Sequence, residues 1–157
     1  MIRQTMAVEE IEADIVQYIE NWYANPPPHP EGYRPKGIPT FRNLQTRYGK
    51  QGIGQVAMYL SSHPSVVLWQ GLSQSLAQAF SNLLTSGAVH WHWAFLVFYE
   101  EGGPLPLPEA AWPVTNEYGK PHWLPVVFKP GERCDDDIGC PNYTGTGEED
   151  EERFETA

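Results

Sequence analysis

Ile38-Pro-Thr-Phe-Arg-Asn-Leu-Gln-Thr-Arg-Tyr-Gly-Lys-Gln-Gly-Ile-Gly-Gln-Val-Ala-Met-Tyr-Leu60 is the stretch whose reading decides the fold. Thr40 is a good N-cap for a short helix over Phe41–Tyr48, because its hydroxyl can accept a bond from an orphan amide of the first turn. Gly49 is the stop, since glycine adopts the left-handed conformation that ends helices. A second helix is expected from Gly52 or Ile53 to Ser61, with Val56, Tyr59 and Leu60 turned inward. His63-Pro64 then breaks the chain.

Outward from this segment the periodicities are clearer. Leu72–Ser86 reads as a helix with Leu72, Leu76, Phe80, Leu83 and Leu84 in one stripe, stopped by Gly87. Val66–Trp69 fits a short strand or a helix start. Upstream, Val8–Tyr23 is amphipathic: Val8, Ile11, Ile15, Tyr18, Ile19 and Trp22 recur at three and four residues. Glu9, Glu10 and Glu12 sit near its positive end. The proline run Asn25–Pro30 forms a stiff connector. Downstream, Val89–Tyr99 alternates with a period of two, putting Trp91, Trp93, Phe95, Val97 and Tyr99 on one face. Trp123–Lys129 is expected to pair with it antiparallel. The fold class is α+β: a small helical region followed by an antiparallel β-hairpin. One globular domain should cover residues 1–133, and 134–157 should be an irregular acidic tail, since a run such as Glu148-Glu-Asp-Glu-Glu152 is disordered by composition.

The chain has 157 residues and a formal net charge of −10, unevenly spread. Between Glu31 and Glu100 there is no acid, and Arg34, Lys36, Arg42, Arg47 and Lys50 give that interval +5. The remainder holds five bases and twenty acids, hence −15. A face that docks on a polyanion must exclude carboxylates as well as supply cations. Burial of core strands accounts for part of the missing acids, but not for the polar segment Tyr33–Gln55.

The Ile38–Leu60 segment resembles the helix-turn-helix of winged-helix repressors, the SOS-repressor type in particular. Pro39-Thr40 would open the first helix. Leu44 lies five residues before the turn glycine, Tyr48 precedes it, and Gly49 is the turn. Val56 and Leu60 are the anchors seven and eleven residues later. Gly52 and Gly54 depart from the pattern. The resemblance implies a non-catalytic, winged-helix-like DNA-binding regulator, or a subunit of a nucleoprotein complex. Gln51 and Gln55 would read bases. Arg42, Arg47 and Lys50, with Arg34 and Lys36 from the preceding loop, would contact phosphates. DNA is expected as partner rather than RNA. The rival is an ordinary helical hairpin in a protein–protein adaptor or assembly subunit, or a homodimer, that uses aromatic faces such as Trp91 and Trp93. An enzyme of unknown class is the third reading.

Other constellations are weaker. His90 and His92 share a strand face, and with His122 they form a weak candidate metal site, with histidines packed and hydrogen-bonded in the core or at an interface as the favoured reading. Cys134 and Cys140 are five residues apart, unlike common zinc knuckles, and Asp135–Asp137 read as a solvated acidic loop. No phosphate loop, dinucleotide fingerprint or nucleophile elbow occurs. No cofactor is expected. With no signal peptide at the N-terminus, no membrane-length apolar run and two cysteines, a cytoplasmic location is expected, away from membranes. The acidic tail is expected either to solubilise the chain or to compete with nucleic acid for its basic stretch.

Overall fold

The computed structural model describes residues 5–25, 37–60, 62–94, 99, 105–111, 114, 118–132 and 154–156. Among these the fold is mixed α and β. Its helices are α1 (Val8–Ala24), α2 (Phe41–Thr46) and α3 (Gln74–Ser86), with a 3-10 turn at Gly49–Gly52. The strands are β1 (Ile53–Leu60), β2 (Val66–Leu72), β3 (Val89–Trp93), β4 (His122–Trp123), β5 (Val126–Pro130) and β6 (Phe154–Thr156). They form a four-stranded sheet of order β4-β2-β1-β6 and a two-stranded sheet of β3 and β5. No described helix is long and apolar enough to cross a membrane.

Helix ends follow the local chemistry. Glu10 Oε1 accepts from the Ala7 amide at the start of α1 (2.8 Å). The Thr40 and Ser73 hydroxyls accept from the amides of Asn43 and Leu76 and cap α2 and α3. Gly87 closes α3 at φ 81°, where a side chain would be strained. Ile11, Ile15 and Ile19 of α1 are fully buried, as are Leu76, Ala79 and Phe80 of α3. The two helices therefore face the same core.

That core is aromatic. Phe41 packs edge-on against Phe80 and Phe128, with centroids 4.8 Å away in each case, and stacks on Trp69 at 6.2 Å. Trp69 continues to Tyr99 and Trp123, which meet edge to face at 4.8 Å. The buried polar atoms are largely paired within the same cluster. The Tyr99 hydroxyl donates to the Val126 carbonyl (2.6 Å) and accepts from the Phe41 amide (3.3 Å). Trp123 Nε1 donates to the Leu68 carbonyl (3.2 Å).

The sequence expectations meet the structure unevenly. α1, α2, α3 and the antiparallel pairing of β3 with β5 are present, with Trp91 opposite Phe128. The second helix expected over 52–61 is strand β1, paired antiparallel with β2. Glycines at 52 and 54 and β-branched Ile53 and Val56 lower helix propensity and favour a pleated surface. A Cβ on Gly54 would lie 2.6 Å from the Leu72 carbonyl oxygen, so β1 approaches the end of β2 only through glycine. The strand expected over 123–129 is divided. Trp123 belongs to β4, parallel to β2 in the larger sheet, and β5 begins at Val126 after Pro125. Of the strand expected over 89–99, Val89–Trp93 forms β3, and 95–98 lie outside the described residues. Within the expected irregular tail, Phe154–Thr156 pair with β1, while 134–153 and Ala157 lie outside the described residues.

One buried amide joins these elements. Gln45 Nε2 donates to the carbonyls of Gly52 (3.0 Å) and Gly71 (2.8 Å), and Gln45 Oε1 accepts from Trp69 Nε1 (3.0 Å). Gln45→Leu keeps comparable bulk and orphans all three partners. Each unsatisfied buried group costs about 1–3 kcal/mol. Urea denaturation should show a loss of about 2–4 kcal/mol, allowing for partial hydration at the edge of the cleft described below. A loss under about 0.5 kcal/mol would remove Gln45 from this role, since surface substitutions reach that much.

Candidate binding surface

The C-terminal end of α2, the 3-10 turn, the start of β1 and the end of β2 surround a cleft of about 480 Å³. Its walls include Arg42, Thr46, Gly49, Ile53, Gln70 and Leu105, with Gln45 and Trp69 at the base. That volume lies in the range of small-ligand sites. The Arg42 guanidinium carbon lies 5.0 Å from the centre of a Trp69 ring, a cation–π arrangement. Among the described residues no carboxylate, imidazole or thiol lines the cleft. The Thr46 hydroxyl donates to the Arg42 carbonyl (2.9 Å). These side chains can bind and orient a group by cation–π contact and amide hydrogen bonds.

The expected nucleic-acid residues do not form one set. Arg42 lines the cleft, and Lys50 and Gln55 are exposed on the 3-10 turn and β1. Arg47 is turned to α1 instead. Its guanidinium forms a bidentate pair with Asp14 (2.9 Å) and lies over the Tyr18 ring at 4.6 Å. Burial lowers the Arg47 pKa, but the Asp14 hydrogen bond and charge outweigh it and hold the guanidinium above its ordinary value. The Tyr48 hydroxyl donates to the same carboxylate (2.6 Å). Burial first, then Asp14, pushes that phenol well up. Gln51 is likewise engaged, its Nε2 donating to the Met6 carbonyl (2.9 Å). Arg34 and Lys36 lie outside the described residues.

The histidine triad is not assembled. His90 and His92 are on β3, but His122 is on β4 of the other sheet. His90 Nδ1 donates to the Gly131 carbonyl (2.8 Å), His92 Nδ1 to that of Trp93 (2.9 Å) and His122 Nδ1 to that of Lys120 (2.9 Å). The His122 ring stacks on Tyr118 at 3.8 Å. No group of three His, Cys, Asp or Glu side chains among the described residues could hold a metal ion. Cys134, Cys140 and Asp135–Asp137 lie outside those residues. The aromatic face expected from Trp91 and Trp93 is mostly interior, with Trp91 buried and Trp93 half-buried.

A different surface emerges from the same region. All the bases of the acid-free interval lie at 34–50. From Gln51 to Tyr99 there is no Asp, Glu, Lys or Arg at all, in a chain that is 19% charged. This run holds β1, β2, α3 and β3, and burial explains only part of it. Ile53, Gly54, Gln55, Gln74 and Gln78 are exposed. Ile53, at 64% exposure, stands at the mouth of the cleft. The Ser73 amide donates to the Gly52 carbonyl (3.0 Å), which holds the start of α3 beside the start of β1. Counting bases alone missed this surface. Counting both signs reveals it.

No protein-family model, curated protein or solved structure matches this chain. Its chemistry is therefore argued from its own side chains.

His90 supplies a pH prediction. Burial lowers its pKa most, and nearby His92 and Lys129 lower it further, against the Gly131 carbonyl, which raises it. The folded state thus holds a neutral ring, while the unfolded chain takes up a proton near pH 6.5. The unfolded state binds more protons, so stability is full above that pH and falls as pH drops below it. His90→Asn can retain the bond to Gly131 without titrating. Thermal melts at pH 7.5 and 5.5 should show a smaller acid-induced drop in Tm for this variant than for the parent. An identical drop would assign the pH dependence to other groups.

Proposed function

We propose that this chain is a non-catalytic protein-binding domain, an adaptor or assembly subunit, which meets its partner through the charge-free surface at β1 and the start of α3. One observation carries this reading: exposed positions of Gln51–Tyr99 bear no formal charge. Soluble surfaces ordinarily mix both signs. The buried centre of a protein–protein interface is depleted in charge, because each ion would lose its water on association. Nucleic-acid interfaces are instead strongly cationic.

Nucleic-acid association is the second reading, and Arg42 and Lys50 beside an acid-free cleft are what favour it. A winged-helix docking mode would need a helix where β1 runs. The second reading therefore rests on phosphate contacts by Arg42 and Lys50, and by Arg34 and Lys36, rather than on a helix in the groove.

Two measurements separate the readings. A photo-reactive side chain in place of Gln55 should cross-link to a discrete protein in cells. The same group in place of Glu20, on the acidic helix α1, should not, and Gln78→Lys should weaken the adduct several-fold. DNA and RNA titrations at low and high salt should show no tight binding. Absence of a Gln55 adduct, together with steeply salt-dependent binding lost in Arg42→Ala and Lys50→Ala, would establish nucleic acid as the partner instead.

A further inference from the structure

β1 has two hydrogen-bonding sides. One pairs with β2. The other carries β6, with Leu60 opposite Phe154, Tyr59 opposite Glu155 and Met58 opposite Thr156. Along Ile53–Ala57 this second side has no strand partner among the described residues. Exposed edges template pairing with other chains, and proteins commonly blunt them with Lys, Pro or bulges. β1 contains neither Lys nor Pro. Its pairing with β2 is bulged between Ile53 and Val56 and again before Tyr59.

The cover is short. It spans three residue pairs, so little backbone pairing has to break for it to be replaced. It belongs to the same chain as β1, which gives it a high effective concentration there, so a second copy at micromolar concentration competes poorly. It also brings a net charge of −10 against an identical charge. The occupant that displaces β6 must gain contacts that β6 lacks.

Direction indicates where those contacts lie. β6 runs antiparallel, from Leu60 toward Met58. A segment continuing in that direction passes Ala57 and Val56 and approaches the 3-10 turn, where Lys50 is exposed and in no ion pair among the described residues. No carboxylate occurs in the sequence from Gly32 to Tyr99, and Asp14 of α1, which lies beside the turn, is engaged by Arg47 and Tyr48.

Resting on the protein-binding reading above, we infer that the outer edge of β1 is a strand-addition site. Phe154–Thr156 covers it in cis, and an extended segment of a partner protein replaces that cover. The partner segment pairs along β1 past Met58 and places carboxylates next to Lys50. Main-chain bonds supply the affinity, and the terminal charges fix direction and register.

The probe is a fluorescein-labelled peptide, Arg-Phe-Glu-Thr-Val-Thr-Ser-Glu-Glu, titrated against the full chain by anisotropy. Glu155→Pro removes the cis cover without touching the described core, and should bind the peptide at least tenfold more tightly than the parent. Lys50→Glu in that background should weaken binding several-fold, and so should a peptide with Pro in place of Val. Amide exchange should slow at Val56–Leu60 on peptide binding. Equal affinity of parent and Glu155→Pro, no binding to either, or protection elsewhere overturns strand addition. The Gln55 cross-link is read independently: an adduct without peptide binding overturns strand addition alone, and absence of both overturns the protein-binding reading as well.

Discussion

The fold turns on a carboxamide. Gln45 is nearly buried, and a buried amide is tolerated only when its bonds are made. Its two donors hold Gly52 and Gly71, and its oxygen holds the indole of Trp69. Gly52 is where the 3-10 turn gives way to β1, and Gly71 lies near the end of β2. One side chain therefore fixes two backbone segments to the ring at the middle of the aromatic core. Apolar packing could fill this space in several ways, because hydrophobic attraction is non-directional. The amide selects one arrangement, and with it the position of the cleft and of the start of β1.

Sequence periodicity revealed α1, α3 and β3 and failed at β1. The stripes of α1 and α3 were legible because each buries one side against one core, and β3 was legible from its alternation although both its faces are buried. β1 was misleading: Val56, Tyr59 and Leu60 have helical spacing, yet Met58 and Leu60 are the buried positions, two apart. The warning was in Gly52 and Gly54. Gly54 is required by the close approach of the Leu72 carbonyl, a tertiary fact that no window of local sequence contains. Pro125 gave a readable sign that Trp123 and Val126 belong to different strands, because proline cannot donate within a sheet.

The candidate site was legible in part. Arg42, Lys50 and Gln55 remain at the surface or in the cleft. Arg47 was lost to a carboxylate 33 positions away and Gln51 to a carbonyl 45 positions away, pairings that only the packing of α1 onto the turn creates. The weak candidate triad of histidines is not assembled for the same kind of reason, since strand assignment at His122 decided which sheet it joined. The absence of acids was visible from the start, but its meaning depended on the bases. Once Arg47 is neutralised by Asp14, what distinguishes the region is lack of charge rather than positive charge.

A surface without charge beside an edge strand carries a risk of indiscriminate association. The remainder of the chain counters it. Outside residues 32–99 there are twenty acids and five bases, a balance of −15. Two copies each carry a net charge of −10 and repel on approach, over a range of about 8 Å at physiological ionic strength. A neutral or cationic partner meets no such barrier, and neither does one whose few carboxylates are aimed at Lys50. On the proposed protein-binding reading, the neutral face supplies adhesion and the net acidic charge of the chain selects what approaches it.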